Sequence, residues 1–259
     1  MIYHLVELTL QDGIASVRLN HAAQSNALDA GLSQELYHIA DELSNRDDVK
    51  VVVLGSHGTD FSIGLNLNES RPANETDETY ATVALASRTI EKWARLPHPV
   101  IAAIQGQCSS LGLSLACVAD VRYASDTAFF SIPESKLGVV PAGGVTQRLP
   151  RIIGKGPAMS MLLGGEPIQV GEAFRVGLVN KIAEEDVWEL ACREARQLAE
   201  LSSLSMQYTK ECLLRGSELS FEQALRLELD VYMLLSTSED RMEGVQAFLE
   251  KRTPQFQGK

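Results

Sequence analysis

Two short apolar runs constrain this chain more than any other feature: "VKVVVLGS" over 49–56 and "PVIAAIQG" over 99–106. Each is mostly β-branched or small and has a glycine within its last two residues. Strands that are apolar on both faces belong to parallel sheets covered by helices on either side. The neighbouring segments fit that arrangement. "LDAGLSQELYHIADELSNRDD" has Asp29 as an N-cap, with Leu32, Leu36, Ile39, Ala40 and Leu43 at helical spacing. A helix over about 79–96 leads into the second run, and a third helix, over about 111–119, precedes the strand "DVRYAS". Residues 3–20 alternate around "QDG" as a hairpin. Strand–helix alternation over the first two thirds predicts an α/β fold.

From about Val187 the pattern changes to near-continuous helices ending near Phe248. That region is amphipathic and too thin to fold alone, so it is expected to dock on a neighbour. The chain divides into an α/β core over 1–190 and a C-terminal helical region over 191–259. The polar segment 68–80 reads as a loop.

Composition narrows the function. With 259 residues and 45% apolar content the chain can bury one large core. Its net charge of −11 offers no electrostatic footprint for nucleic acid or anionic lipid. No apolar run approaches the roughly 20 residues that span a bilayer, and the N-terminus lacks the pattern of a signal peptide. Cys108, Cys117, Cys192 and Cys212 are scattered, which reads as reduced thiols in a cytoplasmic protein. There is neither a dinucleotide-binding glycine pattern nor a P-loop, and His4, His21, His38, His57 and His98 form no metal-binding spacing. No metal is expected. Cys108 reads as a packing thiol.

Three features point to chemistry. "DFSIGLNL" (60–67) and "QGQCSSLGLSLA" (105–116) each follow a buried strand, turn at glycine and resume an apolar pattern. Such turns expose backbone N–H groups, and two of them can converge on one developing oxyanion. Glu134 stands directly after Pro133 in the largely apolar "AFFSIPESKLGVVPAGG" (128–144). Desolvation in that setting would raise its carboxyl toward the range of a general base, with Lys136 a candidate ion-pair partner.

Six ordered stretches resemble the enoyl-CoA hydratase/isomerase (crotonase) superfamily: "SNALD" (25–29), "FSIGLNL" (61–67), "IAAIQGQCSSLGLSLACVADVRYAS" (101–125), "FSIPESKLGVVPAGGVTQRLPRIIG" (130–154), "GEAFRVGLVNKI" (171–182) and "AFLEKRTPQFQGK" (247–259). The resemblance implies a crotonase-like spiral of ββα units and a C-terminal helical region that packs between subunits of a homotrimer or homohexamer. It also implies an acyl-CoA substrate, so that coenzyme A enters as part of the substrate and no separate cofactor is needed. The thioester oxygen would be held by the N–H groups of Leu65 and Leu111. Coenzyme A would be contacted around Ala27, Leu28, Ile63, Leu65 and Leu67, with Lys251 of a neighbouring subunit's tail a further candidate.

The chain departs from the family pattern at several places. Asn66 replaces an aspartate, and Ser110-Leu111-Gly112 replaces Gly-Ala-Gly, side chains large enough to narrow the pocket. Ser114 holds the place of the second glutamate of two-carboxylate hydratases, leaving Glu134 as sole acid/base. One-base proton transfer favours isomerisation of a 3-enoyl-CoA to a 2-enoyl-CoA, with hydration of a 2-enoyl-CoA as the alternative. Ala142 counts against the dienoyl-CoA isomerase variant, which carries an aspartate there. A non-catalytic acyl-CoA-binding protein is the reading from another class, disfavoured because it needs neither a base nor an oxyanion hole.

Overall fold

The computed structural model describes residues 2–65 and 76–259, the side chains of 76–79 excepted. In chain order the elements are β1 (Val6–Gln11), β2 (Ile14–Leu19), α1 (Ala30–Ser44), β3 (Val51–Ser56), α2 (Thr76–Ala94), β4 (Val100–Ile104), β5 (Gln107–Ser109) and α3 (Leu111–Ala116). There follow β6 (Val121–Ala124), β7 (Phe129–Ser131), α4 (Val145–Ile153), α5 (Lys155–Gly164), β8 (Ile168–Gln169), α6 (Val170–Arg175) and β9 (Lys181–Ile182). Four helices close the chain: α7 (Val187–Ala199), α8 (Ser203–Gly216), α9 (Phe221–Leu235) and α10 (Glu239–Glu250).

The larger sheet has the order β1-β2-β3-β4-β6-β9. β1 and β2 form the expected antiparallel hairpin, turning at Asp12–Gly13, and β2, β3, β4, β6 and β9 run parallel. A smaller sheet has the order β5-β7-β8, its strands interleaved along the chain with β6 and β9 of the larger one. Every residue of β3 and β4 is buried, which explains why neither run shows an exposed face. Their side chains alternate between two cores. Val51, Val53, Ile101 and Ala103 pack with Val187, Leu190, Ala191 and Ala195 of α7. Val52, Leu54, Val100, Ala102 and Ile104 belong to the main core, with Leu36, Ile39 and Leu43 of α1 and Ile90 and Trp93 of α2. Each large side chain buried there contributes about 1.5–3 kcal/mol relative to exposure.

Local chemistry fixes the helix positions. Asp29 caps α1 by accepting from the Leu32 N–H at 2.8 Å. Trp93 Nε1 donates to the Leu36 carbonyl and Thr89 Oγ1 to the Ser33 carbonyl, each at 3.0 Å, and Lys92 pairs with Asp41, so polar contacts punctuate the apolar α1–α2 packing. In α10, the Asp240 N–H donates to the Lys259 carbonyl at 3.0 Å, while Asp240 Oδ1 accepts from the N–H groups of Gln257 and Gly258. The tail is thereby folded back on α10. The last two helices leave large apolar side chains exposed, among them Phe221, Leu229, Tyr232, Phe248 and Leu249. Among the described residues no helix is long and apolar enough to cross a membrane.

Candidate active site

The site is built where β3 and β4 end. Beyond β3 the chain enters the 61–65 turn, and beyond β4 it enters β5 and the turn that opens α3. The two segments are stitched together by backbone bonds: Phe61 N–H to the Gln105 carbonyl at 2.8 Å, Ser62 N–H to Gln107 at 3.0 Å, and Ser109 N–H to Ser62 at 3.0 Å. A β-carbon on Gly64 would stand 2.5 Å from the Ser109 carbonyl and 2.6 Å from the Leu111 nitrogen. One on Gly112 would stand 2.5 Å from the Ser62 carbonyl. Only glycine permits this approach at either position, and Gly64 also has φ +76°. Among the described residues, no acceptor takes the N–H of Leu65 or of Leu111.

The 25–28 segment joins the same assembly. Ile63 N–H donates to the Ser25 carbonyl at 3.1 Å, Leu28 N–H donates to Gly64 at 2.8 Å, and Ser62 Oγ donates to the Asn26 carbonyl at 2.6 Å. Ala27 and Leu28 are buried, and Ile63 and Leu65 are half-buried. Leu67 and Asn66 lie outside the described residues. Lys251 ends α10 in a left-handed conformation, exposed, with no hydrogen bond or ion pair to these segments among the described residues.

Glu134 is the second residue of a short 3-10 turn (Pro133–Leu137) that directly follows β7, and Pro133 supplies the fixed φ at its start. Its side chain is buried, with 8% of the residue exposed. Oε1 accepts from Ser110 Oγ at 2.5 Å, and Oε2 is fully buried with no partner among the described residues. A carboxylate oxygen left bare in a protein interior is costly, and such atoms call for a functional explanation. The expected partner of Glu134 is elsewhere: Lys136 Nζ binds Glu166 Oε1 at 2.7 Å on the surface.

The hydroxyl of Ser110 turns onto Glu134. That contact was missed because it joins residues 24 apart, and the side-chain direction depends on an unusual backbone. Ser110 has φ 54° and ψ −129°, a region that glycine occupies easily and side chains rarely do. Holding a serine there costs of order 1–3 kcal/mol.

Ser114 is buried on α3, and its hydroxyl lies 3.0 Å from the Ala142 carbonyl and 3.2 Å from the Ser110 carbonyl. The Ser114 N–H also donates to Ser110, at 3.1 Å. Because the Ser110–Leu111 peptide is trans, holding its carbonyl toward Ser114 aims the Leu111 N–H the opposite way. The hydroxyl proton of Ser114 is thus engaged by backbone. Cys108 and Cys117 are buried nearby; burial pushes the Cys108 thiol well above its ordinary value and the Cys117 thiol up to about 11, which suits packing rather than nucleophilic attack.

Comparison with known proteins identifies the family. Residues 9–259 match the family model "Enoyl-CoA hydratase/isomerase". The chain is 34% identical over 253 residues to the 2,3-dehydroadipyl-CoA hydratase of Escherichia coli, covering 96% of this chain and 97% of that one. It is 34% identical over 255 residues to the (E)-benzylidenesuccinyl-CoA hydratase of Thauera aromatica, covering 98% and 99%. Its structure matches that of an enoyl-CoA hydratase from Bacillus anthracis with a TM-score of 0.94 at 31% identity, covering 99% of this chain and 100% of the other. With a mixed α/β crotonase fold and a helical C-terminal region, the chain belongs to the enoyl-CoA hydratase/isomerase (crotonase) superfamily as one of its enzymes.

Proposed function

We propose that this enzyme hydrates a 2-enoyl-CoA thioester, with Glu134 as its only carboxylate acid/base. The observation that carries the reading is the bare, buried Oε2 of Glu134 beside the turn that presents Leu111. In this reaction Oε2 takes a proton from water as the water oxygen bonds to C3. The π electrons of the C2–C3 double bond move onto the thioester, and the N–H groups of Leu65 and Leu111 hold the resulting enolate oxygen. The same carboxyl returns its proton to C2, so one side chain performs both transfers and no atom is left over. The names of the full-length relatives, hydratases in both cases, favour this over the isomerase reading drawn from Ser114.

A second reading keeps one observation of its own. With serine at 114, a single base suffices to move a proton from C2 of a 3-enoyl-CoA to C4. Purified protein given a 2-enoyl-CoA and, separately, a 3-enoyl-CoA distinguishes the two. Hydration of the first, lost in Glu134→Gln, is expected. Conjugation of the 3-enoyl-CoA without hydration would put the isomerase reading in its place, and full turnover by Glu134→Gln would overturn both.

The remaining assignments are part of the same proposal. Coenzyme A is contacted around Ala27, Leu28, Ile63, Leu65 and Leu67, and by Lys251 of a neighbouring subunit. The exposed apolar side chains of α9 and α10 support association into a homotrimer or homohexamer. The unpaired state of all four cysteines supports a cytoplasmic location.

A further inference from the structure

We infer that Ser110 is a positioning residue that decides which oxygen of Glu134 handles the proton. The inference rests on Glu134 being the acid/base, and it adds a function to a residue that stands where the family pattern has glycine.

The two side chains meet inside the protein, with Ser110 only 6% and Glu134 8% exposed. A hydroxyl has a single proton to give, and Ser110 Oγ gives it to Oε1 at 2.5 Å. Bonds to an ionised acceptor are among the stronger neutral-to-charged contacts. Oε1 is therefore the anchored oxygen. Oε2 has no partner among the described residues, so it is the oxygen left uncommitted for the proton transfer.

The serine is itself held from both sides. Its N–H donates to the Ser131 carbonyl at 3.0 Å, on the strand that leads into Glu134. Its carbonyl accepts from the Ser114 N–H at 3.1 Å, with the Ser114 hydroxyl at 3.2 Å. With the backbone pinned at φ 54° and ψ −129°, the side chain leaves in a fixed direction. The same peptide carries the Leu111 N–H, so the anchored carboxyl and the amide are set from one rigid unit. Such pre-set geometry is what positions a reacting group within reach of its target.

The test separates the hydroxyl from the backbone. Glycine at 110 relieves strain but has no hydroxyl; alanine keeps the strain without it; threonine keeps a hydroxyl and adds strain. With a 2-enoyl-CoA, Ser110→Ala and Ser110→Gly are expected to lower kcat by about 10- to 100-fold. Their KM is expected to change by less than about threefold, because the contact is not to the substrate. Ser110→Gly should melt at or above the parent temperature while remaining slow. Ser110→Thr should melt lower yet keep kcat within a few-fold.

Activity following the hydroxyl while stability follows the backbone supports the inference. Unchanged kcat in Ser110→Ala would overturn it, as would kcat falling only in step with melting temperature. If threonine does not fold, the alanine and glycine variants still decide. Glu134→Gln is run beside them: if it turns over normally the acid/base reading fails, whereas its loss with normal Ser110→Ala turnover removes only the role given to Ser110.

Discussion

Lys210 of α8 reaches into the core and binds Asp120 Oδ2 at 2.7 Å and the His98 carbonyl at 2.8 Å. Asp120 Oδ2 also accepts from the Val100 N–H at 2.7 Å, at the start of β4. One ammonium thus joins a C-terminal helix to the strand that carries the second amide turn.

Removing that ammonium leaves a carboxylate and a carbonyl without their cation. The Asp120 side chain is 27% exposed, so water recovers part of the loss. Lys210→Met is expected to cost about 2 kcal/mol, below the range for fully buried pairs. The chemical denaturation midpoint checks this, and it should fall at an unchanged slope.

His98 makes stability pH-dependent. It is 2% exposed, with Nε2 3.0 Å from the Leu43 carbonyl and Nδ1 3.5 Å from Gln207 Nε2. Burial is the largest cause lowering its pKa; the bond to Leu43 opposes it, Lys210 adds to it, and Asp47 and Asp48 oppose it weakly. The unfolded chain therefore binds a proton near pH 6.5 that the folded chain refuses until lower pH. The stability from this group is complete above about pH 6.5 and is lost as pH falls through the lowered folded value. Melting temperature should decline over that window, and His98→Gln should flatten the decline.

The contact between Gly64 and Leu111 gives a direct test of the oxyanion hole. Gly64→Ala introduces a methyl 2.6 Å from the Leu111 nitrogen, at a φ of +76°. The turns must separate, and misplacing one donor costs about 2.7–4 kcal/mol of barrier. A kcat lower by about 10²–10³-fold is expected in steady-state hydration assays, along with a lower melting temperature.

Glu134→Gln removes the base but keeps the shape and an acceptor for Ser110 Oγ. Loss of one general acid/base lowers kcat by about 10²–10⁴-fold. Affinity for a saturated acyl-CoA, measured by calorimetry, should remain within a few-fold of the parent.

Ser114→Ala leaves the Ala142 carbonyl without the hydroxyl that reaches it in the parent. A loss of about 1 kcal/mol in stability is expected from thermal denaturation, the usual net worth of one such bond.

Much of this architecture could be read from residue order. β3 and β4 announced themselves because strands buried on both faces have no room for polar alternation, and α7 to α10 because their apolar residues recur at helical spacing. The short strands β5, β7 and β8 were not legible: two or three residues carry no period. The helices α4 and α5 were obscured by Pro150 inside one and by Gly154, Gly156 and Gly164 at or within the other. In the site, the two glycine turns and Glu134 stood out because their residue types are unusual for their surroundings. Ser110 stood out only as a departure from glycine; its contact with Glu134 did not, since the side-chain direction follows from a positive φ that composition does not reveal.

The parallel register of β3 and β4, with Val52 opposite Val100 and Leu54 opposite Ala102, has a bearing on evolvability. The gap between the two amide-bearing turns descends from the spacing of adjacent strands, not from the length of any loop. Rim segments can therefore diverge to admit new acyl groups while the cradle for the thioester stays where the sheet puts it.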